Sequence, residues 1–207
     1  AHVRHRTTIS EQAKEARMRK REWNLLFSEY DLRAVLDAQP EKVAQTVVAF
    51  PRDRFLDETD EYISANIASE LVVSPIELGE DEIEVSTADT HIDVSHDFER
   101  AVWDRSRPAY IEGLKVTYHL PFAGESELLK CRPSTYTSNP PRAVVASREL
   151  MFPYDSASRD VSATKPLFQK DLQTLKEWLA RVNAQVGEYN RALEQRVREK
   201  VTQRRAD

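Results

Sequence analysis

An α+β fold is what this sequence predicts, with short helices at the N-terminus, a small mostly antiparallel sheet, and a long coiled-coil-like helix at the C-terminus. Three observations predict it. From Lys165 to Arg205 an apolar seam runs through Phe168, Leu172, Leu175, Leu179, Val182, Val186, Tyr189 and Leu193 in alternating steps of four and three, the spacing of a heptad. Leu114 to Leu120 alternates apolar and polar residues, the period of a half-buried strand. Capped helical segments precede the strands instead of alternating with them, which separates α+β from α/β.

Along the chain, Ser10 is a candidate N-cap for a helix reaching about Ser28, charged from Glu11 to Glu22 and apolar at Trp23, Leu25, Leu26 and Phe27. Asp31 caps a short helix, Leu32 to Ala38. Pro40 sits in the first turn of another, with Val43, Val47 and Phe50 on one face and Pro51 as its stop. Asp57 opens a helix to about Leu71, with Tyr62, Ile63 and Ile67 inward. Strands are then expected at Ile83–Val85, at Thr90–Val94, at Leu114–Leu120 ended by Pro121, and over Ala143–Phe152. Arg132 to Arg142 is a loop by composition. Thr164 caps the long helix, with Pro166 in its first turn. The expected organisation is a helical region 1–71, a sheet region 72–160 packed with it, and the helix 161–207.

Composition excludes several chemistries. Among 207 residues there are four glycines, no two within ten positions of each other. Phosphate-cradling loops need clustered glycine, so a P-loop and a dinucleotide fingerprint are excluded, and a G-x-S-x-G elbow is absent. No lysine has Asp or Glu two residues before it, which removes one nuclease core. Apolar runs stop at four or five residues, far short of the roughly 20 a membrane helix needs. The first residues lack the apolar core of a secretion signal. One cysteine, Cys131, makes no internal disulfide, so the expected compartment is the cytoplasm. No cofactor is expected.

Several places merit attention as sites. His91 and Asp93 project from one face of a strand, with His96 and Asp97 at its end, and imidazole with carboxylate suits a divalent metal. The competing reading is a solvated strand face. Arg105, Arg107, Tyr110, Arg132, Tyr136 and Arg142 combine cations with aromatics, as a clamp for an anionic planar ligand or a flexible base would; alternatively the arginines bridge to acidic residues. Asp53 to Asp104 holds sixteen Asp or Glu against two Arg, a run that either docks a basic partner or is balanced elsewhere in the fold. Basic residues collect in the N-terminal segment (Arg17, Arg19, Lys20, Arg21) and at the helix end (Arg191, Arg196, Arg198, Lys200, Arg204, Arg205), where nucleic acid could touch them. Cys131, between Lys130 and Arg132, is read as an incidental thiol.

The seam is the last of them. A helix about 60 Å long exceeds what a domain of this size needs. Leu172, Leu175, Leu179, Val182, Val186, Tyr189 and Leu193 are therefore expected to contact a partner protein or a second copy, with Asn183 and Asn190 setting register. Val197 and Val201 continue at steps of four, a stutter that relaxes the supercoil. The missing Gly cap or Pro stop is read as a junction to a further effector domain. The expected function is a non-enzymatic sensing, scaffold or oligomerisation module. The alternatives are an accessory nucleic-acid-binding protein and a metal-dependent hydrolase at His91, Asp93, His96 and Asp97.

Overall fold

The computed structural model describes residues 23–97, 104 and 106–206. The α+β reading holds: the described elements are short helices, an antiparallel sheet and one long C-terminal helix. The chain divides into two compact units that cut across the expected boundaries. Of the described residues, the first comprises 23–25, 78–97, 104, 106–122 and 141–175; the second comprises 26–77, 123–140 and 176–206.

In the first unit the sheet is built on β5 (Tyr110–Ala123), a strand of 14 residues. On one side β5 pairs antiparallel with β8 (Glu149–Ser156), which pairs with β7 (Arg142–Ala146), which pairs with β1 (Asn24–Leu25). On its other side lie β4 (Glu84–Asp93) and β3 (Glu77–Leu78). Val116, Tyr118, Leu120 and Phe122 of β5 are buried, and so are Leu150, Phe152 and Tyr154 of β8. An aromatic cluster closes this face. Tyr118 stacks on Phe168 at 4.2 Å, and Trp23 meets Phe152 and Tyr154 edge-on at 5.9 and 5.3 Å. The Tyr154 hydroxyl donates to Asp171 at 2.8 Å, and burial pushes that phenol far up in pKa.

Several local expectations change. Residues 10–22 lie outside the described residues, and 23–28 are not helical: Asn24–Leu25 is β1 and Phe27 has φ 54°. The Trp23 rings are held by Phe152 and Tyr154, and that packing overrides helix propensity. The two short strands expected at 83–85 and 90–94 are one continuous β4, registered residue by residue on β5. The strand expected over 143–152 is a hairpin that turns at Ser147, whose φ of 53° supplies the left-handed residue such turns demand without any glycine to announce it. Pro121 does not end β5. It lacks an N–H but its carbonyl accepts from Gly79 N–H at 2.8 Å, and the strand runs on to Ala123.

In the second unit, α1 (Leu32–Asp37) begins where Asp31 accepts from the N–H groups of Arg33 and Ala34, as expected of an N-cap. α2 (Gln39–Ala49) buries Val43 and Val47. Pro51 does not merely stop it but opens a short α3 (Arg52–Asp57). α4 (Asp60–Leu71) is capped by Thr59 and buries Ile63 and Ile67, whereas Tyr62 is 52% exposed rather than inward. A parallel bridge joins β2 (Tyr30–Asp31) to β6 (Cys131–Arg132).

The long helix, α5, spans Lys165–Ala206 with 42 residues. Its turns to Leu175 belong to the first unit and the rest to the second. Leu175, Val182, Val186, Val197 and Val201 are 0% exposed in the single chain. The seam is thus core. Asn183 and Asn190 set a register, but with the chain's own backbone. Asn190 accepts from Val73 N–H at 3.1 Å and donates to Val73 C=O at 2.8 Å; Asn183 does the same to Ile76 at 3.1 and 2.8 Å. The spacing explains the fit. Seven helix residues rise about 10.5 Å, and three extended residues span about 10 Å. Two side-chain amides a heptad apart therefore meet two peptide units three apart, running antiparallel to the helix.

Candidate functional site

The outer face of the sheet in the first unit carries the most organised polar arrangement among the described residues. Directly paired residues share a face, so register assigns its rows. Glu84, His119, Met151 and Val144 form one; Ser86, Thr117 and Pro153 the next; Pro121, Glu149 and Ala146 flank the other side. Ser86, His119 and Glu149 lie on a diagonal across three adjacent strands. Ser86 Oγ is 2.7 Å from His119 Nε2, and His119 Nδ1 is 3.1 Å from Glu149 Oε2. A carboxylate only accepts, so Nδ1 carries a proton, and in the neutral imidazole Nε2 accepts from the Ser86 hydroxyl. The His119 and Glu149 side chains are 23% and 37% exposed. The residues recur nowhere as a local motif. Outward-facing His119 is legible from alternation, but its neighbours are visible only once β4 and β8 are in register.

The residues singled out from sequence fare differently. His91 and Asp93 do share a face of β4, but Asp93 is committed to backbone. Its carboxylate accepts from Ser95 N–H at 2.9 Å and Ala109 N–H at 3.2 Å. The Ser95 bonds above all hold its pKa below the usual carboxylate range. His96 and Asp97 lie in the turn after the strand. Among the described residues no three His, Cys, Asp or Glu side chains gather as a metal would require, so the four residues are not brought together as a ligand set.

The cation and aromatic residues are divided as well. Arg105 lies outside the described residues. Arg107 is 3.7 Å from Asp104, and Tyr110 is 62% exposed, both in the first unit. Arg142, also there, donates to the Trp23 carbonyl at 3.3 Å. Arg132 and Tyr136 belong to the second unit, where the guanidinium sits 5.1 Å over the Tyr136 ring. Tyr136 in turn lies 6.1 Å from Trp178, and Trp178 stacks on Phe27 at 5.6 Å. Cys131 is buried, and burial raises its pKa. Flanking cations do not make it a thiolate: Lys130 is drawn to Glu127 at 3.0 Å.

The interface expectation changes most. Leu175, Leu179, Val182, Val186, Tyr189 and Leu193 are buried in the single chain, and Leu172 is half-buried. Inside the second unit the helix is tied along its length: to Val73 and Ile76 through Asn190 and Asn183, and to Ser134 through Gln185. At the basic end, Arg204 donates to the carbonyls of Val47 and Phe50, capping α2, and lies 4.2 Å over the Phe55 ring. Arg205 binds Asp60 at 2.6 Å and the Glu58 carbonyl at 2.9 Å. Arg198 meets Glu194 at 3.3 Å. Three cations of the expected nucleic-acid surface thus have partners within the unit. Arg17, Arg19, Lys20 and Arg21 lie outside the described residues. No helix is long and apolar enough to cross a membrane, among the described residues.

Strand β4 presents the opposite situation. It pairs with β5 over all ten of its residues, and among the described residues no strand pairs with its other edge. Glu84 to Asp89 are exposed, Val85 at 47%. Compared with known proteins, the chain matches no family model, no characterised sequence and no solved structure.

Proposed function

We propose that this chain is an interaction module, a scaffold that receives an extended basic peptide segment on the open edge of β4. The observation that carries the reading is that edge itself: ten residues long, exposed from Glu84 to Asp89, and unpaired on one side among the described residues. An edge strand offers a row of N–H and C=O groups to any strand that can approach, and peptide recognition by strand addition uses just that row. Two of the usual protections, proline and lysine, are absent from β4. Its centre, Ser86-Thr87-Ala88, is small and lets another backbone come close.

Charge selects the occupant. Between Glu77 and Asp93 there are seven carboxylates and no Lys or Arg. The cation this strand does meet is Arg159, 2.6 Å from Asp89 and 3.8 Å from Glu112. Two copies pairing edge to edge would set carboxylate against carboxylate, which is unfavourable. A strand carrying Lys or Arg gains both ladder and charge.

The test uses a labelled ten-residue peptide alternating Lys with Val and Thr, followed by fluorescence anisotropy. Binding is expected to weaken as salt rises. Methylating alternate backbone nitrogens removes two or more ladder bonds at about 1 kcal/mol each, so affinity should fall roughly tenfold or more. Amide exchange in β4 should slow when the peptide is bound. Affinity that ignores N-methylation, or no binding, overturns the reading. So does a dimer whose formation protects β4, which would make a second copy the occupant.

A further inference from the structure

We propose that Ser86, His119 and Glu149 form a nucleophilic site for acyl esters on the outer face of the sheet. The docking reading does not depend on it. Three observations meet here. The hydroxyl, imidazole and carboxylate are joined in series at 2.7 and 3.1 Å. The tautomer that this series requires leaves Nε2 as the base nearest the hydroxyl, the arrangement in which imidazole activates serine in unrelated folds. The three groups are delivered by three neighbouring strands in fixed register, so the geometry rests on the sheet and not on a loop. The same rows carry Met151, Val144 and Pro153, half-exposed apolar side chains on which a short acyl chain can lie. The substrate class is therefore a small ester with an apolar acyl group and a good leaving alcohol.

In the reaction, Ser86 Oγ bonds to the carbonyl carbon while its proton passes to His119 Nε2, and the carbonyl pair moves onto oxygen. That pair returns as the ester C–O bond breaks, and Nε2 gives the proton to the departing alcohol. Water then adds to the acyl carbon through the same base, the Oγ–C bond breaks, and Ser86 regains its proton. Nothing is oxidised or reduced, and water is the co-reactant. Glu149 is a positioning residue: it holds the imidazole in the Nδ1-protonated form and favours the cation formed in passing.

The full chain is treated with a fluorophosphonate probe, and modified peptides are identified by mass spectrometry. Labelling is expected at Ser86. His119→Gln should slow it about a hundredfold or more, the scale of a lost general base. Glu149→Gln should slow it by a smaller factor, roughly tenfold, while the unfolding midpoint stays in place, and Glu149→Asp should restore part of the rate. With p-nitrophenyl acetate, wild type should release an early burst of one nitrophenolate per chain that Ser86→Ala lacks. Labelling of Ser86 no faster than that of other exposed serines overturns the proposal. So does a Ser86 rate that His119→Gln leaves unchanged. Circular dichroism verifies the fold of each variant.

Discussion

Two extended segments of this chain use their backbones in opposite ways. Val73 to Ile76 is satisfied on both sides. Asn190 and Asn183 take the N–H and C=O of Val73 and Ile76, while the Ser74 N–H reaches the Glu125 carboxylate and its C=O accepts from Glu125 N–H, both at 3.1 Å. Pro75 has no N–H to place. Strand β4 is satisfied on one side, by β5. Both are extended and neither carries a local motif, yet one is interior structure and the other is open. A helix face with amides a heptad apart can stand in for a neighbouring strand. Where nothing does, the ladder remains available to a partner.

The same contrast separates the seam from the edge, and the largest predicted effect tests it. Val186 is 0% exposed, so Val186→Asp would force a carboxylate into the core. That class of substitution costs upwards of about 4 kcal/mol. The expected result is loss of cooperative unfolding of the second unit in a thermal melt, at every protein concentration. A variant that keeps its melt and changes only in solution mass would return the seam to the role of an interface.

Breaking the stand-in strand is the next largest effect. Asn183→Ala with Asn190→Ala strips partners from two N–H and two C=O groups that are part-buried in the fold. Unpaired groups of this kind cost about 1–3 kcal/mol each when fully buried, so the double variant should lose roughly 2–5 kcal/mol in urea unfolding. Amide exchange at Val73 and Ile76 should accelerate toward the rate of the outward amides of β4. If exchange at those two positions is unaltered, the amides are not what holds the segment. Each single variant should lose about half as much, because the two contacts lie a heptad apart and share no partner.

How much of this was legible follows from which signals are local. The seam spacing, the Asp31 cap and the alternation from Leu114 to Leu120 are written in adjacent residues, and the structure keeps each of them. What covers the seam is not written there: Asn183 and Asn190 read as polar neighbours of a coiled-coil stripe until Val73 and Ile76 are laid beside them, more than a hundred positions away. The hairpin at Ser147 was hidden because its left-handed residue is not glycine. The Ser86–His119–Glu149 diagonal spans 63 positions of sequence and exists only through register. His91 and Asp93, legible together, turned out to do different work, since the carboxylate closes a turn.

That turn gives the smallest and most specific prediction. The Ser95 and Ala109 N–H groups depress the folded-state pKa of Asp93. Its contribution to stability is therefore complete above the unfolded value, about 3.9, and is lost as pH falls through the lower folded value. Asp93→Asn keeps an oxygen in place to accept both bonds but cannot titrate. At neutral pH the variant should melt slightly below wild type, because it lacks the charge that strengthens those bonds. As pH drops below 4 the two melting curves should converge. Equal pH dependence in the two proteins would mean that Asp93 is an ordinary surface carboxylate, and would reopen it, with His91, as a group available to a ligand.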